Sequence, residues 1–194
     1  MSRCPSCPAP RRAGTPAGLS GQTLEPLTAR WPAITIDDAY RISLFAIERR
    51  VAAGDAIVGK KIGVTSEAVQ RMLDVHQPDF GFITRDMCFK NGDEISLAAN
   101  KLIQPRAEGE IAFKLKHDLV GPGVTEQDVL DATECVMPCF EIVDSRIHDW
   151  RIRIQDTVAD NASCGVFVIG REAIDPRELD LPNLRMQVFK NGVQ

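Results

Sequence analysis

The feature of this sequence that most constrains its fold is the segment 107–115, in which apolar residues alternate with small or charged ones. A period of two is typical of a β-strand with one apolar face. The apolar residues expected to face a core are Ile111, Phe113 and Leu115. The same alternation directs Glu108 and Glu110 to the opposite face, where two like charges repel each other unless a cation or a proton lies between them. The segment therefore predicts a strand with a cation site on its polar face, or else an ordinary solvated pair of acids.

A third carboxylate is available in the next apolar run, Cys139–Val143, where Glu141 lies between two apolar residues. Together with Glu108 and Glu110 it would complete a site made only of carboxylate oxygens. Such a set suits Mg²⁺ or Mn²⁺ better than Zn²⁺ and leaves coordination positions open for a ligand.

A β-rich run over residues 56–65 places two adjacent lysines on opposite faces of a predicted strand. Lys61 shares its face with Gly59 and Gly63, and such small neighbours leave space above the sheet for a ligand. Lys60 belongs to the other face, together with bulkier side chains. The alternative is that both lysines are ordinary surface residues.

Three helices are predicted from the residues that cap them, which are Thr35, Ser66 and Thr125. We expect the first helix to stop at Gly54 and the second to run through Leu73. A turn over Gln77–Gly81 should follow the second helix. The third helix is expected over Glu126–Cys135, because Pro138 cannot continue it.

Short strands mixed with a few helices, without regular β-α alternation, predict an α+β fold on a folded-over sheet rather than a doubly wound one. With 194 residues, of which 44% are hydrophobic, the chain has the size and apolar content of one domain. Residues 1–23 are rich in proline and arginine and lack apolar periodicity, so we expect a disordered tail before a domain over 24–194.

Charge and hydropathy exclude several classes of partner. The formal net charge is -4, because 23 lysines and arginines face 27 aspartates and glutamates. This balance is unlike that of proteins that bind nucleic acids or anionic membranes. The sequence also lacks an apolar stretch as long as a membrane span and an apolar signal-peptide core, so a cytoplasmic protein is expected.

The six cysteines are scattered, which favours thiols in a reducing compartment over a disulfide framework. A zinc site at Cys4 and Cys7 would need a second pair of ligands, for which Cys135, Cys139 and the distant His148 are the candidates. Neither a phosphate-binding loop nor a nucleophile motif occurs, so hydrolysis by a catalytic triad is not expected.

Taken together, the sequence resembles the 2-keto-4-pentenoate hydratase family, within the fumarylacetoacetate hydrolase superfamily. The resemblance begins near Glu25 and runs to the C-terminus. The segments that carry it are Glu25–Thr28, Gly59–Ser66, Gln77–Gly81, Gln104–Glu110, Glu141–Arg146 and Asp156–Gly165.

The resemblance implies that Glu108, Glu110 and Glu141 bind Mg²⁺ or Mn²⁺ and that Lys61 and Asp79 handle protons. It also implies that Ser163 lies beside the substrate. The family hydrates 2-hydroxypenta-2,4-dienoate to 4-hydroxy-2-oxopentanoate in the meta-cleavage catabolism of aromatic compounds. It uses no organic cofactor, forms large homo-oligomers and is thought to associate with the decarboxylase of the pathway.

The expected chemistry suits these residues, because a 2-oxo acid can chelate a carboxylate-bound metal that acts as a Lewis acid. A proton would reach C5 while the enolate is stabilised, and water would then add at C4. Burial and the metal would lower the pKa of Lys61, so that it acts as a general acid and base. Asp79 would orient Lys61 or the water.

Both ends depart from the family pattern, and we expect the domain to be incomplete at its C-terminal end, where the family has a Gly-rich segment and the last strands of the sheet. Two alternatives to the hydratase therefore stay open. One is 4-oxalocrotonate decarboxylase, a sister enzyme with much of the same pattern. The other is a catalytically inactive, truncated subunit that serves as a scaffold.

Overall fold

The structure of the protein is a computed structural model that describes residues 22–194. The predicted tail over 1–23 lies outside the described residues except at its end, where Thr23 Oγ1 is 3.0 Å from His148 Nδ1. Cys4 and Cys7 also lie outside them, and so the structure says nothing about a zinc site at that pair.

Six α-helices, four short 3-10 helices and six strands make up the regular structure of the described part. The α-helices are α1 (Leu27–Arg30), α2 (Ile36–Ala52), α3 (Glu67–Leu73), α4 (Leu97–Asn100), α5 (Glu126–Ala132) and α6 (Ile154–Ala159). The strands are β1 (Ile57–Gly63), β2 (Asp79–Thr84), β3 (Cys88–Lys90), β4 (Arg106–Leu115), β5 (Thr133–Val143) and β6 (Cys164–Ile169). None of these helices has the length and apolar character that crossing a bilayer requires.

The strands form two sheets. The smaller is the antiparallel pair β1–β2. The larger has the strand order β3-β6-β5-β4, in which β3 and β6 are parallel and the other neighbours are antiparallel. Mostly antiparallel pairing with interspersed helices confirms the predicted α+β class.

The main hydrophobic core lies between α2 and α6. Thr35 begins α2 as predicted, because its hydroxyl accepts a hydrogen bond from the Asp38 amide while the Asp38 carboxylate accepts one from the Thr35 amide. This capping box fixes the start of the helix. Ala39 of α2 then packs with Ile154 and Val158 of α6, all nearly fully buried.

Two predicted boundaries are wrong. The turn predicted over Gln77–Gly81 is strand from Asp79 onward, because β2 pairs with β1 up to the Gly63–Asp79 pair. The helix predicted over Glu126–Cys135 ends at Ala132, and the chain continues as β5 through Pro138. A proline is tolerated there because the pairing of β5 with β6 begins only at the next residue.

The expectation that all the apolar residues of segment 107–115 face a core is also wrong. Phe113 and Leu115 are each 42% exposed. β4 is the outer strand of the larger sheet as far as the chain is described, and the C-terminal segment lies against its apolar face near Gly109, where Met186 and Val188 lie. The alternating sequence thus predicted the strand correctly, but it did not predict that Phe113 and Leu115, near the end of β4, are exposed.

We predict that Thr35→Ala destabilises the protein by about 1 kcal/mol, because the mutation removes the hydroxyl that caps α2. The measurement is the free energy of unfolding in urea. Thr65→Ala, which truncates an exposed threonine outside any helix, is the matched control and should change that free energy by less than about 0.5 kcal/mol. Equal losses in the two variants would contradict the role of the cap.

Candidate active site

The two adjacent lysines of β1 have different environments. Gly59, Lys61 and Gly63 form the more buried face of the strand, whereas Lys60 and its face are exposed. This confirms the face assignment made from the alternation. Lys61 is therefore not an ordinary surface lysine. Of the two, only Lys60 fits the alternative of an ordinary surface residue.

The Lys61 ammonium connects the two sheets. Its Nζ atom is 3.0 Å from Glu141 Oε1, and only 12% of the lysine side chain and 10% of the glutamate side chain are exposed. The same Nζ donates a hydrogen bond of 2.9 Å to the carbonyl oxygen of Ala162. One cation thus links β1 to β5 and to the turn before β6.

Three carboxylates share the face of the larger sheet that Lys61 meets. Glu108 of β4 lies directly opposite Glu141 of β5, and Glu110 follows two residues along β4 on the same face. The pKa of Glu110 is raised by burial and by the neighbouring charge of Glu108. The pKa of Glu141 is also raised by burial, although Lys61 opposes this effect.

These glutamates are neighbours without being drawn together around a common point. Within residues 22–194, no group of three or more histidine, cysteine, aspartate or glutamate side chains is already arranged to hold a metal. Glu141 is instead paired with Lys61. Their assignment as metal ligands therefore stays a prediction.

The predicted lowering of the Lys61 pKa depends on a bound metal and stays a prediction. Burial alone would lower this pKa, but the adjacent Glu141 carboxylate outweighs burial and the pKa is raised. Lys61 is therefore held as an ammonium in this arrangement.

Asp79 lies next to Lys61 at the start of β2. It is 3% exposed, and neither carboxylate oxygen has a hydrogen-bond partner among the described residues. Burial raises the pKa of Asp79, while the charge of Lys61 opposes the shift. Gly63 makes room for this carboxylate, since a Cβ atom there would lie 2.5 Å from Asp79 Oδ1 and 3.7 Å from Lys61 Nζ.

Ser163 lies beside this cluster but is buried. Its hydroxyl is 3.1 Å from Thr157 Oγ1, and 3% of the residue is exposed. It directly follows Ala162, whose carbonyl holds Lys61. The structure brings Ser163 close to the predicted catalytic lysine, and its contact with a substrate stays a prediction.

The turn that presents the Ala162 carbonyl was not predicted from the sequence. Residues 161–163, called here the Asn161–Ser163 turn, all have a positive φ, between 52° and 55°. No sequence pattern marks a backbone carbonyl as a ligand for a lysine. Asn161 was the available signal, because asparagine tolerates the left-handed conformation better than most residues.

A depression of about 440 Å³ lies further along the same face of β4. Arg106 lines it, two residues before Glu108, with its guanidinium carbon 4.3 Å from the centroid of the Trp150 ring. The indole nitrogen of Trp150 donates to the Gln104 carbonyl, which fixes the ring. The polar face of β4 therefore continues from the carboxylates to a cation beside an open space.

Burial opposes ionisation of the two thiols near the site, Cys139 and Cys164. Burial raises the pKa of Cys139 to about 11 and that of Cys164 to about 12. Thiols with such values stay protonated near neutral pH and are poor nucleophiles.

Comparison with known proteins finds hydratases at high identity. The chain is 63% identical over 176 residues to 2-hydroxypent-2,4-dienoate hydratase of Pseudomonas putida, which covers 91% of this chain and 79% of that protein. It is 64% identical to 2-hydroxyhexa-2,4-dienoate hydratase of Comamonas testosteroni, over 89% of this chain and 66% of that protein. A 2-keto-4-pentenoate hydratase of Paraburkholderia xenovorans is 46% identical over 89% of this chain, which spans 64% of that relative.

Solved structures of 4-oxalocrotonate decarboxylase from Pseudomonas putida G7 have the same fold. The complex of that enzyme with magnesium and adipate superposes with a TM-score of 0.80 at 34% identity, over 84% of this chain and 61% of that one. Its complex with calcium and acetate gives a TM-score of 0.78. No protein-family model matches the chain.

We predict that Lys61→Met destabilises the protein by about 3 kcal/mol, because the Glu141 carboxylate then stays buried without its counter-charge. Methionine keeps the apolar stem, and so the change removes mainly the charge. Lys60→Met is the matched control at an exposed position, and it should cost less than about 1 kcal/mol. The measurement is urea unfolding in the presence of a chelator, and a Lys61→Met loss no larger than the control would show that the pair does not support the fold.

Proposed function

This chain belongs to the 2-keto-4-pentenoate hydratase family, and we propose that it adds water to 2-hydroxypenta-2,4-dienoate to give 4-hydroxy-2-oxopentanoate. The relatives at 63% and 64% identity are named for substrates with five and six carbons, so the six-carbon dienoate is a second candidate substrate. The observation that carries the proposal is the buried Lys61 ammonium between Glu141 and the Ala162 carbonyl, beside two further glutamates.

The donor set fits a hard divalent cation, and we propose Mg²⁺ or Mn²⁺ without an organic cofactor. Glu108, Glu110 and Glu141 offer oxygen ligands on one face, and the raised pKa values of Glu110 and Glu141 reflect burial and negative charge that a cation would offset. The structurally similar decarboxylase was solved with magnesium, which supports this choice. When bound, the cation would supply Lewis-acid polarisation of the 2-oxo acid end of the substrate.

Lys61 and Asp79 are proposed to move the protons. Hydration requires one proton at C5, then a hydroxyl at C4 and a second proton at C3, while the enol hydroxyl loses its proton. Lys61 can donate because its ammonium lies in the carboxylate cluster, and Asp79 can accept because its buried oxygens lack other partners. Asp79 and Lys61 are neighbours over Gly63, so a proton can pass between them.

Ser163 is proposed to border the substrate through the turn it shares with Ala162. We also propose a cytoplasmic homo-oligomer that associates with the pathway decarboxylase. Exposed apolar side chains such as Phe45, Ile62 and Met72, which are 61%, 59% and 73% exposed, are consistent with association between subunits.

The decarboxylase remains the second candidate activity, since the solved structures of the same fold belong to 4-oxalocrotonate decarboxylase. The two activities differ in product, because the decarboxylase releases CO₂ from 4-oxalocrotonate. An inactive subunit would do neither.

We expect the purified chain to consume the ultraviolet absorbance of 2-hydroxypenta-2,4-dienoate when Mg²⁺ or Mn²⁺ is present and to lose this activity with a chelator. The product should be 4-hydroxy-2-oxopentanoate, identified by mass spectrometry. Parallel assays use the six-carbon dienoate and, with CO₂ detection, 4-oxalocrotonate. Folded protein that turns over none of the three substrates would leave the inactive subunit as the better description.

We predict that Lys61→Ala lowers kcat at least about 100-fold, a loss typical for removal of a general acid or base. Lys60→Ala should retain kcat within about twofold, because the exposed lysine has no contact with the carboxylate cluster. The measurement is steady-state turnover with saturating metal, after circular dichroism has shown that each variant is folded. A loss confined to Lys60→Ala would mean that the wrong lysine has been assigned.

A further inference from the structure

We propose that Asn161 is a positioning residue: by clamping the Asn161–Ser163 turn to β2, it holds the Ala162 carbonyl where it fixes the Lys61 ammonium. The role of this ammonium in catalysis rests on the proposed hydratase function. The position of the Lys61 ammonium does not rest on that function, and it can be measured separately.

The first observation is the way the Asn161 amide engages β2. Its Oδ1 atom accepts a 2.7 Å hydrogen bond from the Phe82 amide, and its Nδ2 atom donates a 2.8 Å hydrogen bond to the Phe82 carbonyl. Both backbone groups of one strand residue are thus satisfied by one side chain. Since β1 pairs with the other edge of β2, Asn161 acts as the strand's second neighbour at this point.

The second observation is how closely the turn approaches the strand. A Cβ atom on Gly81 would lie 2.5 Å from the carbonyl oxygen of Asn161 and 3.2 Å from the Ala162 side chain. Gly81 is also the residue that pairs with Lys61 across the β1–β2 ladder. The clamp therefore acts one residue from the strand position directly opposite the lysine.

The third observation is the conformation that the clamp supports. Residues 161, 162 and 163 are all left-handed, which is rare for consecutive residues that are not glycine. Such a conformation persists only when its surroundings hold it. Here it directs the Ala162 carbonyl to within 2.9 Å of Lys61 Nζ.

Without this acceptor, the ion pair with Glu141 would be the remaining direct contact that holds the Lys61 ammonium among the described residues. The position of the ammonium would then depend on Glu141, a proposed metal ligand, alone. With the acceptor, the ammonium is held by both Glu141 and the Ala162 carbonyl. The clamp thus gives the lysine a position that is independent of Glu141. Misplacement of a catalytic group by about 1 Å can cost about 100-fold in rate.

The test uses Asn161→Gly in the full chain, because glycine accepts the left-handed backbone while removing the amide. The matched control is Asn191→Gly, which removes an asparagine that also has a positive φ, of 53°, in an exposed turn. The first readout is the rate at which an amine acylating reagent modifies Lys61 relative to Lys60, measured by peptide mass spectrometry. The second readout is kcat and KM with 2-hydroxypenta-2,4-dienoate.

In Asn161→Gly we expect the Lys61 to Lys60 modification ratio to rise about 10-fold, and kcat to fall about 10- to 100-fold with KM changed less than about threefold. Asn191→Gly should leave the ratio and kcat unchanged. A ratio and a kcat equal to those of the wild type in Asn161→Gly would overturn the proposal.

If Asn161→Gly does not fold, Asn161→Asp tests the clamp instead. Aspartate keeps the acceptor for the Phe82 amide but loses the donor to the Phe82 carbonyl. Folded Asn161→Asp with a raised modification ratio supports the proposal, and an unchanged ratio overturns it. The hydratase function and the clamp can be contradicted separately. If the wild type shows no turnover but the Lys61 to Lys60 modification ratio still rises in the Asn161 variant, only the hydratase function is contradicted. If the wild type is active and the Asn161 variant has an unchanged ratio and kcat, only the clamp is contradicted.

Discussion

The buried ion pair between Lys61 and Glu141 is the interaction on which the rest of the site depends. It joins the two-stranded sheet to the larger one across a 3.0 Å contact that is almost closed to water. Removing either partner would leave a buried charge uncompensated, which costs far more than the pair itself contributes. The glycines near it have a matching role, since Gly63 leaves room for Asp79 and Gly81 leaves room for the turn that holds the lysine.

The charge around that pair is unbalanced. Glu108 and Glu110 share the sheet face of Glu141, and Asp79 lies next to Lys61. Burial raises the pKa of Asp79, Glu110 and Glu141. A nearby positive charge would offset the unfavourable burial of these carboxylates.

Much of this site follows from local sequence patterns, and the rest depends on contacts distant in sequence. A period of two sufficed to put Lys61 on the inner face of β1 and Glu108 with Glu110 on one face of β4. The same period failed at Phe113, because whether an apolar face is covered is decided by other parts of the chain. The helix predicted over Glu126–Cys135 is too long because the tolerance of Pro138 in a strand depends on where the neighbouring strand β6 begins to pair.

The Asn161–Ser163 turn shows what no local pattern could predict. Left-handed backbone costs roughly 1–2 kcal/mol per residue, so three such residues in succession need strong support. Arg146 supplies part of it from both ends of the turn, donating to the Asp160 carbonyl at 2.8 Å and to the Cys164 carbonyl at 3.0 Å.

The same arginine pairs with the Asp160 carboxylate, where burial raises the pKa and Arg146 opposes that rise. An unstrained turn would not need this support. Because the strained conformation is the one that turns the Ala162 carbonyl towards Lys61, the hydrogen bonds of Arg146 stabilise the placement of an ammonium that the arginine does not contact.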